Sequence, residues 1–89
     1  MKAIKGIIYG KVQGVFFRKY TKQKAEELNI KGFVKNEKDG TVYFEAEGAN
    51  EKLEKFIQWC HQGSPGADVS KVDTEESDVK NYPDFKIKY

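Results

Sequence analysis

The stretch GKVQGVFFR, residues 10–18, lies between an apolar run and a helical pattern, and the rest of the chain is organised around it. Glycines bound a short loop, and the stretch ends in Arg18, the only arginine of the chain. A glycine-bounded turn between a strand and a helix can offer backbone N–H groups to an anion at the positive end of the helix dipole. An arginine beside it adds a planar fork for two phosphoryl oxygens. The stretch therefore indicates a phosphate site, but it also fits a plain tight turn with a solvated Arg18, because such turns are common.

The apolar periodicity on both sides of this stretch predicts seven elements. The predicted strands cover residues 3–9, 31–36, 41–47, 67–74 and 85–89, and the predicted helices cover residues 16 or 17 to 28 and 51–61. Residues 10–15 and the polar residues 75–84 are predicted to be loops. This order predicts an α+β fold of the ferredoxin-like split βαβ type, a sandwich with an antiparallel-rich mixed sheet and both helices on one face.

Single residues refine these boundaries. The Asp-Gly pair at 39–40 stands between two strand patterns and predicts a hairpin. Asn29 suits the left-handed residue that ends a helix, and Asn50 suits the N-cap of the second helix. Val69 and Val72 have opposite parity, which predicts a bulge or a late start in the fourth strand.

Composition limits the partners and the compartment. A chain of 89 residues forms a single domain, residues 1–89. Charged residues make up 34% of it but the net charge is only +2, so we expect no nucleic-acid partner. Cys60 is the only cysteine, which excludes an intramolecular disulfide and suggests a reducing compartment. Because no apolar run is long enough for a signal peptide or a membrane span, we expect a cytoplasmic protein without a membrane partner. We also expect a monomer.

The strand order predicts that two distant residues meet. The first two strands run in the same direction, so their carboxyl ends lie at one edge of the sheet, where ligands bind in open α/β sheets. Arg18 begins the helix after the first strand, and Asn36 ends the second strand. The glycine loop and both side chains can therefore converge. Taken alone, Asn36 is more typical of a turn residue that bonds its own backbone.

The catalytic groups that the chain lacks limit the reactions that the site could catalyse. The chain has no Walker loop, no cluster of metal ligands and no Ser-His-Asp pattern; its only histidine, His61, is expected at the surface and Cys60 in the core. Phosphoryl transfer has a loose transition state, in which positioning and charge stabilisation dominate. A site with one cation, backbone donors and an amide therefore suits a phosphoryl group with a good leaving group. A carboxylate is such a group, so acyl phosphates fit and phosphate monoesters do not. We expect no metal and no cofactor.

These residues resemble a known family. Residues 10–18 look like the acylphosphatase signature G-x-V-Q-G-V-x-F-R. Further family motifs match Gly32-Phe33-Val34-Lys35-Asn36, Gly40-Thr41-Val42, Gly48, Trp59, Gly63-Ser64-Pro65 and Phe85-Lys86-Ile87-Lys88-Tyr89. The resemblance covers nearly the whole chain, and no motif position departs from it.

The resemblance implies a ferredoxin-like fold and hydrolysis of acyl phosphates to a carboxylate and inorganic phosphate. It implies that Arg18 binds the phosphoryl group and that Asn36 positions the attacking water. Thr41 would support Asn36, and the carboxylate of Tyr89 would orient Arg18. The loop amides that cradle phosphate would be those of Val12, Gln13, Gly14, Val15, Phe16 and Phe17.

Two other functions are compatible with parts of this sequence. RNA-recognition modules share the fold, and residues 31–34 partly resemble their K-G-F-G-F-V motif. The match breaks after Phe33, and that motif belongs on the third strand. A binding-only domain with the acylphosphatase fold is the other alternative, and the intact Arg18 and Asn36 argue against it.

Overall fold

The computed structural model describes residues 1–89 as five strands and two helices. In chain order they are β1 (Lys2–Lys11), α1 (Phe17–Glu27), β2 (Lys31–Asn36), β3 (Val42–Gly48), α2 (Asn50–Gln62), β4 (Asp68–Ser77) and β5 (Phe85–Lys88). The strands form one sheet in the order β4-β1-β3-β2-β5. All neighbouring strands are antiparallel except β2 and β5, which are parallel. The predicted ferredoxin-like α+β fold is confirmed.

One hydrophobic core lies between the sheet and the two helices. Along β3 the side chains alternate, with Val42, Phe44 and Ala46 buried in the core. The ring of Phe56 from α2 meets the edge of Phe44 at a centroid distance of 5.2 Å. Burying a side chain of this size contributes ~1.5–3 kcal/mol to folding, so these rings hold α2 to the sheet. Burial also raises the pKa of the Cys60 thiol, which packs in the core as expected.

The fourth strand is longer than predicted. The sequence predicts a loop at residues 75–77, but β4 continues to Ser77, which pairs with Ala3. This edge strand is exposed on most of its length, so it has no apolar alternation that could reveal it. Its acidic residues instead pair with lysines of β1, Glu75 with Lys5 at 3.3 Å and Glu76 with Lys2 at 3.1 Å. Charged side chains on an edge strand also discourage pairing with another chain.

The predicted irregularity in β4 is a bulge. Tyr9 pairs with Lys71 but Gly10 pairs with Val69, so one residue of β4 has no partner on β1. Gly10 has φ +120, and a Cβ there would collide with the carbonyl oxygen of Asp68. Only glycine fits where the chain leaves the sheet for the loop.

The helix ends agree with one prediction and correct another. Asn29 has φ 57, the expected left-handed conformation after α1. Asn50, however, is the first residue of α2 rather than its N-cap. The extended residue Ala49 is the N-cap, and its carbonyl accepts hydrogen bonds from the N–H groups of Lys52 and Leu53. Because alanine has no polar side chain, this helix begins without a side-chain cap.

A polar network ties residues 80–82 to the sheet face opposite the helices. Glu47, only 1% exposed, accepts hydrogen bonds from the N–H groups of Lys80 and Tyr82. Glu45 accepts hydrogen bonds from the side chains of Tyr43, Tyr82 and Lys80 at 2.7–2.8 Å. Burial would raise the pKa of Glu45, but these hydrogen bonds outweigh burial and lower the pKa to about 2.

This network predicts a loss of stability in acid. The folded pKa of Glu45 lies below the unfolded value of 4.5, so its contribution is complete above that value and is lost as the pH falls toward 2. The Glu45 side chain is 14% exposed, and its contribution is about 2–3 kcal/mol. Urea unfolding monitored by Trp59 fluorescence between pH 2 and 7 should show this slope in the wild type and a flatter one in Glu45→Gln. Glu54→Gln, which alters an exposed carboxylate of α2, should keep the wild-type slope; an unchanged slope in Glu45→Gln would contradict the assignment.

Candidate active site

A cavity of about 550 Å³ lies at the edge of the sheet where β1 and β2 end. It is lined by Val12, Gly14, Phe16, Phe17, Arg18, Lys19, Asn36, Ile87 and Tyr89. The structure thus brings Arg18 and Asn36 to one cavity together with four of the six predicted loop residues. Gln13 and Val15 belong to the same loop but do not line the cavity. Arg18 and Lys19 are its charged residues and no carboxylate side chain lines it, so the cavity suits an anion.

The loop and the start of α1 offer a run of free backbone donors. The N–H groups of residues 12–19 donate no hydrogen bond within the protein, and α1 has no side-chain cap. Phe16, at the N-cap position, is left-handed with φ 58 and ψ 26, a conformation that costs a non-glycine residue about 1–3 kcal/mol. Phe16 is 74% exposed and lines the cavity, so burial in the core does not offset this conformational free-energy cost. Free donors beside a helix N-terminus form an anion site.

Arg18 is held in the cavity wall by the end of β5. Its Nη1 donates a hydrogen bond to the carbonyl oxygen of Lys88 at 3.1 Å. Its guanidinium carbon lies 4.8 Å from the centre of the Tyr89 ring, a cation–π contact. No Arg18 nitrogen forms an ion pair with a carboxylate within 4.0 Å. The contact expected from the Tyr89 carboxylate is therefore made here by the Tyr89 ring and the preceding carbonyl.

Asn36 differs from a typical turn residue. It is the last residue of β2 and pairs with Val42 of β3. Its side-chain Oδ1 is buried and has no hydrogen-bond partner. An unpaired buried acceptor costs about 1–3 kcal/mol, so folding alone does not favour it. Asn36 also lines the cavity, so a molecule bound there lies beside this amide.

Thr41 closes the hairpin rather than contacting Asn36. Its hydroxyl donates a hydrogen bond to Asp39 Oδ1 at 2.6 Å, and its N–H donates to the same oxygen at 3.0 Å. These two hydrogen bonds lower the pKa of Asp39. A carboxylate that accepts from the backbone two residues later is a common way to close a turn. The expected support of Asn36 by the Thr41 side chain is thus absent from the structure.

Two contacts that sequence reasoning missed hold the loop. The Gln13 side chain donates from Nε2 to the carbonyl oxygens of Glu37 and Thr41, both at 2.8 Å. The hydroxyl of Ser64, a residue 3% exposed, donates to the carbonyl oxygen of Val15 at 2.8 Å. The sequence indicated Ser64 only through the motif Gly63-Ser64-Pro65 and Gln13 only as a backbone donor. Neither contact has a local sequence signal, because the partners are 24 to 49 residues apart.

Other chemistries find little support in the side chains. No group of three or more His, Cys, Asp or Glu residues is arranged to hold a metal ion. His61 is exposed, as expected, and does not line the cavity. No helix has the length and apolar character needed to cross a membrane. The polar groups at the cavity include backbone donors, the Arg18 guanidinium, the Lys19 ammonium and the Asn36 amide.

Comparisons with known proteins identify the family of this chain. The family model described as acylphosphatase matches residues 4–87. The acylphosphatase of Ligilactobacillus salivarius is 47% identical over 90 residues, covering 100% of both chains. That of Thermotoga maritima is 44% identical over 89 residues, covering 100% of this chain and 99% of the relative.

A solved structure extends the likeness to three dimensions. The crystal structure of acylphosphatase from Bacillus subtilis has a TM-score of 0.97 to this chain at 34% identity, over 100% of both chains. The match thus includes the loop, both helices and all five strands rather than the short motifs alone. With a family model, full-length relatives and a solved fold in agreement, the chain belongs to the acylphosphatase family.

Proposed function

We propose that this protein hydrolyses small acyl phosphates to a carboxylate and inorganic phosphate. One observation carries the proposal: a single cavity is lined by the loop with its free N–H groups, by Arg18 and by Asn36, whose Oδ1 has no partner in the protein. The first two suit the phosphoryl oxygens, and the third suits a water. The full-length relatives are also named acylphosphatases.

In this proposal the loop binds the phosphoryl group. Backbone N–H groups of residues 12–17 and the fork of Arg18 surround its oxygens and stabilise the negative charge in the transition state. The donors are in place before substrate arrives, because Ser64 holds Val15 and the Lys88 carbonyl holds Arg18. Little reorganisation is then needed when the reaction begins.

Asn36 positions the attacking water. Its Oδ1 accepts a hydrogen bond from the water and turns an oxygen lone pair toward phosphorus. The new bond joins the water oxygen to phosphorus, while the bond between phosphorus and the acyl oxygen breaks and its electron pair leaves with the carboxylate. The proton released by the water goes to a phosphoryl oxygen. Because the transition state is loose, the water needs little deprotonation in advance, and no side-chain base is required.

Metal independence is part of the proposal. The charge stabilisation that a metal supplies in other phosphoryl-transfer enzymes is assigned here to Arg18 and the loop amides. The purified protein should hydrolyse benzoyl phosphate equally well with and without a chelator, and inorganic phosphate should inhibit it competitively because it fills the same cradle. A sugar phosphate monoester should not be cleaved, since its alkoxide is a poor leaving group.

Hydrolysis and metal independence are tested separately by this assay. A folded protein that leaves benzoyl phosphate and acetyl phosphate intact would overturn the assigned activity. Activity that disappears with the chelator and returns with a divalent cation would overturn metal independence alone. Circular dichroism of the same sample provides the control for folding.

A further inference from the structure

We infer that the side chain of Gln13 is a positioning residue, which sets the place of Asn36 relative to the phosphate loop. The inference rests on the proposed function and assigns Gln13 a second role beside its backbone N–H. Its Nε2 donates to the carbonyl oxygens of Glu37 and Thr41, each at 2.8 Å. Both acceptors are carbonyls, so only the nitrogen of the amide can face them.

The two acceptors lie on either side of the hairpin just beyond Asn36. Glu37 follows Asn36 directly, and Thr41 precedes Val42, the residue that pairs with Asn36. The carbonyl of Thr41 also accepts the N–H of Glu37 at 2.9 Å, so Gln13 binds both sides of one rung of the hairpin. A shift of the Gln13 side chain would therefore move the strand end that carries Asn36.

The hairpin does not need Gln13 to close. It is held by the hydrogen bond from Glu37 to Thr41, by the hydrogen bond from the N–H of Gly40 to the Glu37 carbonyl at 3.2 Å, and by Asp39 with Thr41. The loop likewise has its own support from Ser64. What Gln13 adds is the connection between them, because its two hydrogen bonds are the ones that join residues 12–16 to residues 36–41.

Loss of the two Gln13 hydrogen bonds should lower kcat more than it weakens phosphate binding. The loop and Arg18 hold the phosphoryl group without Gln13, so phosphate affinity should persist when the connection is lost. The attacking water, however, is positioned by Asn36 on the other side of the connection. A misplacement of about 1 Å between reacting groups can cost ~100-fold in rate, and partial loosening should cost ~10-fold or more.

The test is a double-mutant cycle with a matched control. Gln13→Met keeps the length of the side chain and removes both donors. We expect it to lower kcat for benzoyl phosphate ~10-fold or more while the inhibition constant of inorganic phosphate stays within ~2-fold. In an Asn36→Ala background the same substitution should have little further effect on kcat, because both changes disable the same step. Gln23→Met, on the exposed side of α1, should behave as the wild type in both backgrounds.

Each outcome decides the inference. Independent losses that multiply in the double variant, an unchanged kcat in Gln13→Met, or a phosphate constant that rises with the fall in kcat would overturn it. If Gln13→Met does not fold, Gln13→Leu also removes both donors without adding a charge and should give the same pattern. A wild-type protein without activity would overturn the proposed function and this inference together. An active wild type with a slow Asn36→Ala and a normal Gln13→Met would overturn only the inference.

Discussion

Replacing Arg18 with alanine is expected to lower kcat/KM for benzoyl phosphate by at least ~100-fold, which corresponds to ~3 kcal/mol of transition-state binding. The side chain provides the only guanidinium at the cavity, and it is held toward it by the Lys88 carbonyl and the Tyr89 ring. Binding of inorganic phosphate should weaken as well, because the ground state carries the same oxygens. Steady-state kinetics and phosphate inhibition measure both effects.

Two control variants distinguish the effect of the Arg18 side-chain geometry from the effect of its positive charge. Lys19→Ala removes the neighbouring cation that lines the same cavity and should reduce kcat/KM by a few-fold at most. Arg18→Lys keeps a positive charge but loses the planar fork and the hydrogen bond to Lys88, so it should remain well below the wild type. An Arg18→Ala variant within ~3-fold of the wild type would remove Arg18 from the mechanism.

Replacing Asn36 with alanine is expected to lower kcat ~100-fold with little change in the inhibition constant of phosphate, because the amide is assigned to the water and not to the phosphoryl group. Stability should not fall with activity. Oδ1 is buried without a partner in the wild type, so removing it relieves an unsatisfied acceptor. A thermal midpoint equal to or above that of the wild type, together with the loss of turnover, would show a residue retained for function at some cost to stability.

Asp39→Ala is the matched control for this experiment. It removes the carboxylate that closes the hairpin through Thr41 but leaves the cavity wall intact. It should lower the thermal midpoint and reduce kcat far less than Asn36→Ala does. If Asn36→Ala instead raises the phosphate inhibition constant while kcat stays normal, Asn36 contacts the phosphoryl group and the water-positioning role is wrong.

The elements with regular periodicity could be predicted from the chain alone. Val42, Phe44 and Ala46 of β3 recur with a strand period, Leu53, Phe56 and Cys60 of α2 recur with a helix period, and all are buried in the structure. The end of β4 could not be predicted, because an edge strand with charged residues on both faces has no apolar alternation. Its partner, the edge of β1, becomes apparent only when the sheet is assembled.

The candidate site, like the fold, has features that the sequence predicts and features that it does not. That Arg18 and Asn36 lie at one edge follows from the order of strands and helices, since parallel strand ends must share an edge. Other features depend on side-chain rotamers and on packing between segments far apart in sequence. These are the unpaired Oδ1 of Asn36, the hydrogen bond from Thr41 to Asp39, and the contact of the Tyr89 ring with Arg18.

The loop of residues 10–18 illustrates both contributions. Its glycines, its single arginine and the helical pattern after it indicated an anion site, with a plain tight turn as the alternative, because backbone turns and helix starts are encoded locally. The tertiary structure decided which groups hold that loop, through Gln13 on the hairpin and Ser64 on the end of α2. The physical reason is the separation along the chain over which each interaction acts. Local conformation depends on neighbouring residues. A hydrogen bond of 2.8 Å between residues 24 to 49 positions apart, in contrast, exists only after the whole sheet has formed.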